Sequence, residues 1–138
     1  EKQLLQWSKL FSIDVHGMAR LGTLSTKAAI GSTIMLGYFD SPFTTITANK
    51  NKFRIYAYEH PEISIIGYDA TLQGGLFNQS SPYIINTGNI TRAVFQNRLS
   101  FVVNYRGVYL EYFQSMHSSD FKTGNYHVWG GVQIAVGF

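Results

Sequence analysis

His127-Val128-Trp129-Gly130-Gly131-Val132-Gln133-Ile134-Ala135-Val136-Gly137-Phe138 sorts its residues by parity. Val128, Val132, Ile134, Val136 and Phe138 fall on one side, and His127, Trp129, Gly131, Gln133, Ala135 and Gly137 on the other. Successive side chains of a strand point to opposite faces, so this stretch is predicted to be one strand with an apolar face and a small or polar face. It is also about as long as a tilted strand must be to cross a bilayer, roughly 9–11 residues.

The same alternation recurs upstream. Phe11, Ile13, Val15, Gly17, Ala19 and Leu21 oppose Ser12, Asp14, His16, Met18 and Arg20. Ala28, Ile30, Ile34, Leu36 and Tyr38 oppose Lys27, Ala29, Gly31, Thr33 and Gly37, and a shorter strand is predicted from Lys52 to about Tyr58. Glu59-His60-Pro61-Glu62 reads as a turn, because proline and its neighbours punctuate strands. After it Ile66, Tyr68, Ala70 and Leu72 oppose Gly67, Asp69, Thr71 and Gln73. Phe95, Leu99, Phe101 and Val103 oppose Gln96, Arg98, Ser100 and Val102, with Val94 and Asn97 out of pattern. Past the turn at Tyr105-Arg106-Gly107, Val108, Leu110 and Tyr112 oppose Tyr109, Glu111 and Phe113.

Composition agrees with an all-β chain. The 138 residues are 45% hydrophobic but only 14% charged, and 9 Tyr, 10 Phe and 13 Gly stand against 3 Pro. Aromatic and β-branched residues favour sheets. With no cysteine, a disulfide framework and a Cys-based zinc or redox site are both excluded. The net charge of +3 comes from scattered Lys and Arg that form no stripe, which argues against nucleic acid. No apolar run is long enough for a transmembrane helix, and the start at Glu1 has no signal-peptide pattern, so an exported protein would be represented by a mature segment.

These features predict an antiparallel up-and-down transmembrane β-barrel in the bacterial outer membrane, with Ile13, Ile34, Leu72, Leu110 and Ile134 facing lipid. Connections at 40–51, 78–90 and 118–125 are expected outside, and the shorter ones at 22–25, 59–62 and 105–107 at the periplasmic end with Phe138. About seven strands plus a stub at Gln3 to Leu5 result. Single-chain bacterial barrels have even strand numbers, so residues 1–138 are expected to be the C-terminal part of one longer barrel domain, unless the stub completes a minimal eight-stranded barrel. Val132, Ile134, Val136 and the terminal Phe138 resemble the signal that such barrels present to their assembly machinery.

Several stretches resemble the LpxR-like family of outer-membrane lipid A 3'-O-deacylases. Tyr68-Asp69-Ala70-Thr71-Leu72-Gln73-Gly74-Gly75-Leu76-Phe77-Asn78 with Ser81-Pro82-Tyr83 is similar to a late strand and external loop of that family. Val108-Tyr109-Leu110-Glu111-Tyr112-Phe113, Phe121-Lys122-Thr123-Gly124 and His127-Val128-Trp129-Gly130-Gly131-Val132 resemble its last hairpin. Leu21-Gly22-Thr23 through Leu36-Gly37-Tyr38 is similar to an earlier one. The resemblance implies a twelve-stranded barrel and a calcium-dependent esterase that removes 3'-linked acyl chains from lipid A. It places the catalytic Asn-Asp pair, hydroxyl residue, His and Glu in earlier strands and a following segment. Their surrounding motifs, Asp-Arg-Pro-Tyr-Ala-Gly and Gly-Trp-x-x-Gln, do not occur here, so no catalytic residue is assigned and any calcium is expected in the missing N-terminal part.

Asp14 and His16 share a face and could be a base and its orienter, but inward polar residues of a barrel strand more economically form a lumenal network. That network is expected to comprise Asp14, His16, Arg20, Asp69, Gln73, Arg98 and Glu111. His117 and Asp120 are read as a solvated loop that could touch a head group. The histidines lack i, i+4 spacing and the oxygen ligands are not grouped, so the sequence declares no metal site. Lys9, Lys50, Lys52, Arg92 and Lys122 fall near connections expected outside, where they could hold lipopolysaccharide phosphates. Trp7, Tyr38, Phe39, Tyr56 and Tyr105 suit interfacial girdles. The competing readings are a non-enzymatic barrel, either a narrow channel or a structural partner in a larger outer-membrane complex, and a soluble barrel with apolar residues inside.

Overall fold

The computed structural model describes residues 2–7, 10–40, 53–75 and 82–137. Eight strands form one antiparallel sheet: β1 Lys2–Trp7, β2 Phe11–Arg20, β3 Ser25–Tyr38, β4 Arg54–Glu59, β5 Glu62–Asp69, β6 Ala93–Tyr105, β7 Val108–His117 and β8 His127–Val136. One helical turn, α1 Ala70–Gln73, follows β5. Among the described residues no helix could cross a membrane.

Glu59-His60-Pro61-Glu62 does not reverse the chain. β4 pairs with residues 34–38 of β3 and 99–104 of β6, and β5 pairs with residues 25–31 of β3 and 93–96 of β6. The two are successive halves of one long strand, so the eight strands occupy seven places. Pro61 has no N–H to give to the ladder, which is why the strand is interrupted there. Backbone bonds on either side hold it in line: His60 N donates to Arg98 O (2.8 Å), Arg98 N to His60 O (3.3 Å) and Ser32 N to Pro61 O (3.0 Å).

Removing that reversal reassigns the ends. The 105–107 turn, Tyr38–Asp40 and Phe53–Arg54 share one end of the sheet, while 21–24, 70–75, 82–92 and 118–126 share the other. The expected grouping of 40–51 with 78–90 and 118–125 is therefore corrected, as is that of 22–25 with 105–107. The second end, here called the crown, is cross-tied. Ala70 N donates to Leu24 O (2.9 Å), Thr91 N to Asp120 O (2.9 Å) and Lys122 N to Asn89 O (2.8 Å). At the opposite end Arg106 (φ 50°) and Gly107 (φ 83°) make the two-residue left-handed turn that matches the twist of a hairpin.

The faces are those of a membrane barrel rather than a soluble one. Ser12, Asp14, Ser64, Ser100, Glu111 and Ser115 are buried on the inner face, with Glu111 3% exposed, whereas outward-facing Leu36 and Ile134 are 63% and 67% exposed. In water such an apolar exterior would be a large sticky patch; in lipid it is solvated. Ile13, Ile34, Leu110 and Ile134 face outward as expected, by register with exposed neighbours.

Leu72 does not join them, because β5 ends at Asp69 and Leu72 lies in α1. Ile66 is also turned inward and buried, while Ile63 and Ile65 face out. Adjacent Ile65 and Ile66 allow either parity, and only pairing to β3, with its irregularity at Thr26/Lys27, settles which. Val94 is buried inside, and outward Asn97 donates to Glu59 (2.8 Å), a polar island on the apolar face. Phe39 and Tyr56 are not girdle residues: Phe39 is buried and meets Tyr56 edge-on at 6.0 Å. Trp7, Tyr38 and Tyr105 are exposed near strand ends.

Candidate functional site

Two clusters stand on the inner wall. Glu111 comes from the centre of β7, opposite Val102 on β6 and Gln133 on β8. Its Oε1 accepts from Tyr58 OH and from Arg98 Nη2, both at 2.7 Å, and its Oε2 accepts from Tyr109 OH at 2.6 Å. Arg98 Nε also donates to Ser100 Oγ (3.3 Å), and its guanidinium lies 4.1 Å above the Phe113 ring. A carboxylate so enclosed by three donors is a satisfied buried charge, and it joins β4, β6 and β7.

The second cluster lies nearer the crown. Register aligns His16 on β2, Gly31 on β3, Glu62 on β5, Gln96 on β6, His117 on β7 and His127 on β8 in one row. His16 reaches Glu62 across β3 because Gly31 has no side chain; a Cβ there would stand 2.5 Å from His16 Cε1. His16 Nε2 is 3.3 Å from Glu62 Oε2, and Ser64 Oγ donates to Glu62 Oε1 at 3.3 Å. His60 stacks on His16 with centroids 4.7 Å apart and planes 7° from parallel, while its Nδ1 is 2.9 Å from Thr33 Oγ1. Beside it is a hollow of about 290 Å³ whose lining includes His60, Glu62, Gln96, Arg98, Ser115 and Trp129. One row away, Asp14 is 2% exposed and its Oδ1 has no hydrogen-bond partner.

The residues expected in one lumenal network are thus distributed. Arg98 and Glu111 are directly bonded, while register puts Asp14 level with Arg98, through Thr33 and His60, and His16 one row nearer the crown on the same inner face. Arg20 is exposed at the crown rim opposite Lys27. Asp69 and Gln73 organise α1 instead: Asp69 Oδ1 accepts from Thr71 N (2.9 Å) and Oγ1 (2.6 Å), and Asp69 N donates to Gln73 Oε1 (3.0 Å). Tyr58, His60 and Glu62 were not in the expected set. His60 and Glu62 were hidden inside an apparent turn, although their i, i+2 spacing would have placed them on one face once the strand was known to continue.

Of the basic residues expected near lipopolysaccharide, Lys9, Lys50 and Lys52 lie outside the described residues. Arg92 and Lys122 are at the crown. Arg92 Nη1 donates to Ile66 O (3.1 Å) and to Gly67 O, and Nη2 to Thr87 O (3.4 Å), so its guanidinium ties Thr87 to β5. His117 Nε2 is 3.9 Å from Asp120 Oδ1, also at the crown. Val132, Ile134 and Val136 share the outward face of β8; Phe138 lies outside the described residues.

A meandering antiparallel sheet with a polar, charge-paired inner face and an apolar outer face defines an outer-membrane β-barrel protein. The family model described as "Outer membrane protein LpxR" matches residues 2–138. The chain belongs to the LpxR family. Among solved structures, LpxR from Salmonella typhimurium superposes with a TM-score of 0.68 at 20% identity, over 97% of this chain and 48% of that one. This chain therefore spans about half the length of that relative. Among curated proteins none matches significantly.

Proposed function

We propose that this chain is the C-terminal wall of an outer-membrane lipid A 3'-O-deacylase, with the ester-cleaving groups supplied by sequence preceding Glu1. The observation that carries this reading is the family match across residues 2–138, on a chain spanning about half of a related barrel. In this reading Glu111, already held by Arg98, Tyr58 and Tyr109, braces strands rather than awaiting a substrate. In this reading the crown faces the cell exterior. Arg20 and Lys27, directly opposed there with like charge, would be relieved by a lipid A phosphate.

Calcium, which the family resemblance implies, does not fit the ligand clusters described here. It takes 6–8 oxygen ligands, whereas the set grouped among the described residues offers two imidazoles and one carboxylate. No catalytic step is assigned to calcium through these residues. Val132, Ile134, Val136 and Phe138 would serve recognition by the assembly machinery, so deleting Phe138 should lower membrane integration more than activity per folded molecule.

The test is release of 3' acyl chains from lipopolysaccharide by the full-length parent, followed by mass spectrometry. Asp14→Asn and His16→Ala should retain hydrolysis, and substitution of the upstream His should abolish it with the barrel intact. A well-folded parent with no acyl release would favour the alternative of a structural barrel, for which the self-satisfied Glu111 cluster is equally suited.

A further inference from the structure

The geometry points to a binding site for a borderline divalent cation of the zinc class, formed by His16, His60 and Glu62 on the inner wall of the barrel. The inference is independent of the deacylase reading. The three side chains offer ligand atoms all within 4.8 Å of one another. Two imidazole nitrogens and one carboxylate oxygen are a donor set for zinc or a neighbouring transition ion, with water completing a tetrahedron. With bonds of about 2.0–2.1 Å, adjacent ligand atoms of that tetrahedron stand about 3.3 Å apart. His16 Nε2 and Glu62 Oε2 are at that separation, 3.3 Å.

The surroundings are those of ligands oriented by their neighbours. With His60 Nδ1–H donating to Thr33 Oγ1, the Nε2 lone pair is left for a metal, and Ser64 holds the other oxygen of Glu62. His16 and His60 lie in parallel planes, so both lone pairs cannot meet one ion without a ring turning. His60 is fixed by Thr33, whereas His16 rests on the bare backbone of Gly31 and is the ring that swings. The cation enters between His16 Nε2 and Glu62 Oε2, and any proton on a ligand atom is released to solvent as the metal binds.

Charge points the same way. Among the described residues Glu62 is in contact with His16 and accepts from Ser64, and buried Asp14 has an oxygen without a partner one row away. Arg98, which could have neutralised them, is committed to Glu111. A divalent ion balances these carboxylates. It also clamps β2 to both sides of Pro61, where the ladder is interrupted, and the adjoining hollow gives it a path.

The full-length protein in detergent micelles, with saturating calcium to occupy hard-cation sites, is titrated with Zn²⁺ by calorimetry, and Co²⁺ is followed by its visible absorption. One site is expected that His16→Gln, His60→Gln and Glu62→Gln each weaken by about tenfold or more, and Thr33→Val by about tenfold. Lys122→Ala should leave it unchanged. Zn²⁺ should raise the unfolding midpoint of the wild type in a concentration-dependent way, a readout that needs no variant. Absence of that shift, or Zn²⁺ binding that all three ligand variants retain at wild-type affinity, overturns the proposal. Since acyl release is not read, its failure is distinct from failure of the deacylase reading.

Discussion

The Glu111 and Glu62 clusters occupy the same inner wall, yet one is closed and the other open. Around Glu111, one guanidinium and two phenols converge on a single carboxylate, and the charge needs nothing more. Around Glu62, a histidine at 3.3 Å and a serine are the partners among the described residues, two imidazoles stack on one another, and a neighbouring aspartate oxygen has no partner. A buried charge network completed by the protein's own donors is architecture. One left incomplete, but assembled from strong ligands, is where an external ion gains free energy by binding.

The sharpest way to break this contrast is to remove each carboxylate. Glu111→Ala leaves Arg98 and two phenols without their acceptor, and should cost about 3–5 kcal/mol of unfolding free energy, read by urea titration of the full-length protein in lipid vesicles. A loss below about 1 kcal/mol would mean that the cluster does not brace the wall.

The frame on which both clusters stand is tested by charge placed on opposite faces of β8. Val132→Arg, on the outward face near the strand's centre, should cost about 2–4 kcal/mol, while Gln133→Arg on the inner face should be far milder. Equal costs would contradict the orientation of the sheet. Removing a single donor from the closed cluster comes next: Tyr109→Phe deletes a hydrogen bond to a charged group and should cost about 1.5–3 kcal/mol in the same titration.

The smallest effect belongs to the open cluster. Without added metal, Glu62→Gln should cost no more than about 1 kcal/mol, because a single 3.3 Å histidine contact that water still reaches is worth little and Gln keeps an acceptor for Ser64. Adding Zn²⁺ should then widen the gap between Glu62→Gln and wild type while leaving the gap for Tyr109→Phe unchanged. Parallel responses would erase the distinction between the clusters.

Parity was enough for much of this protein. Val128, Val132, Ile134 and Val136 against Trp129 and Gln133 placed the last strand and its lipid face, and Tyr109 and Glu111 were recognisable as inward because the alternation around them is unbroken. The Arg106-Gly107 turn was legible for the same local reason. Pairing and depth were not local. Pro61 reads as a turn in any single sequence, and Ile65-Ile66 fits either face until a neighbouring strand chooses between them. Asp69 and Gln73 looked like two more inward residues, but their backbone had already left the sheet for a helical turn.

The sequence by itself determined that the chain is a set of amphipathic strands with lipid on one side, since period two and the choice of residue at each parity require no long-range information. The tertiary structure alone decided that β4 and β5 are one strand, because two neighbours span the proline and hold both halves to the same partners. It alone also brought His16 to Glu62, 46 residues later, across a glycine that removes the only side chain between them. Contacts of that kind are fixed by register, and register is a property of the assembled sheet rather than of any one strand.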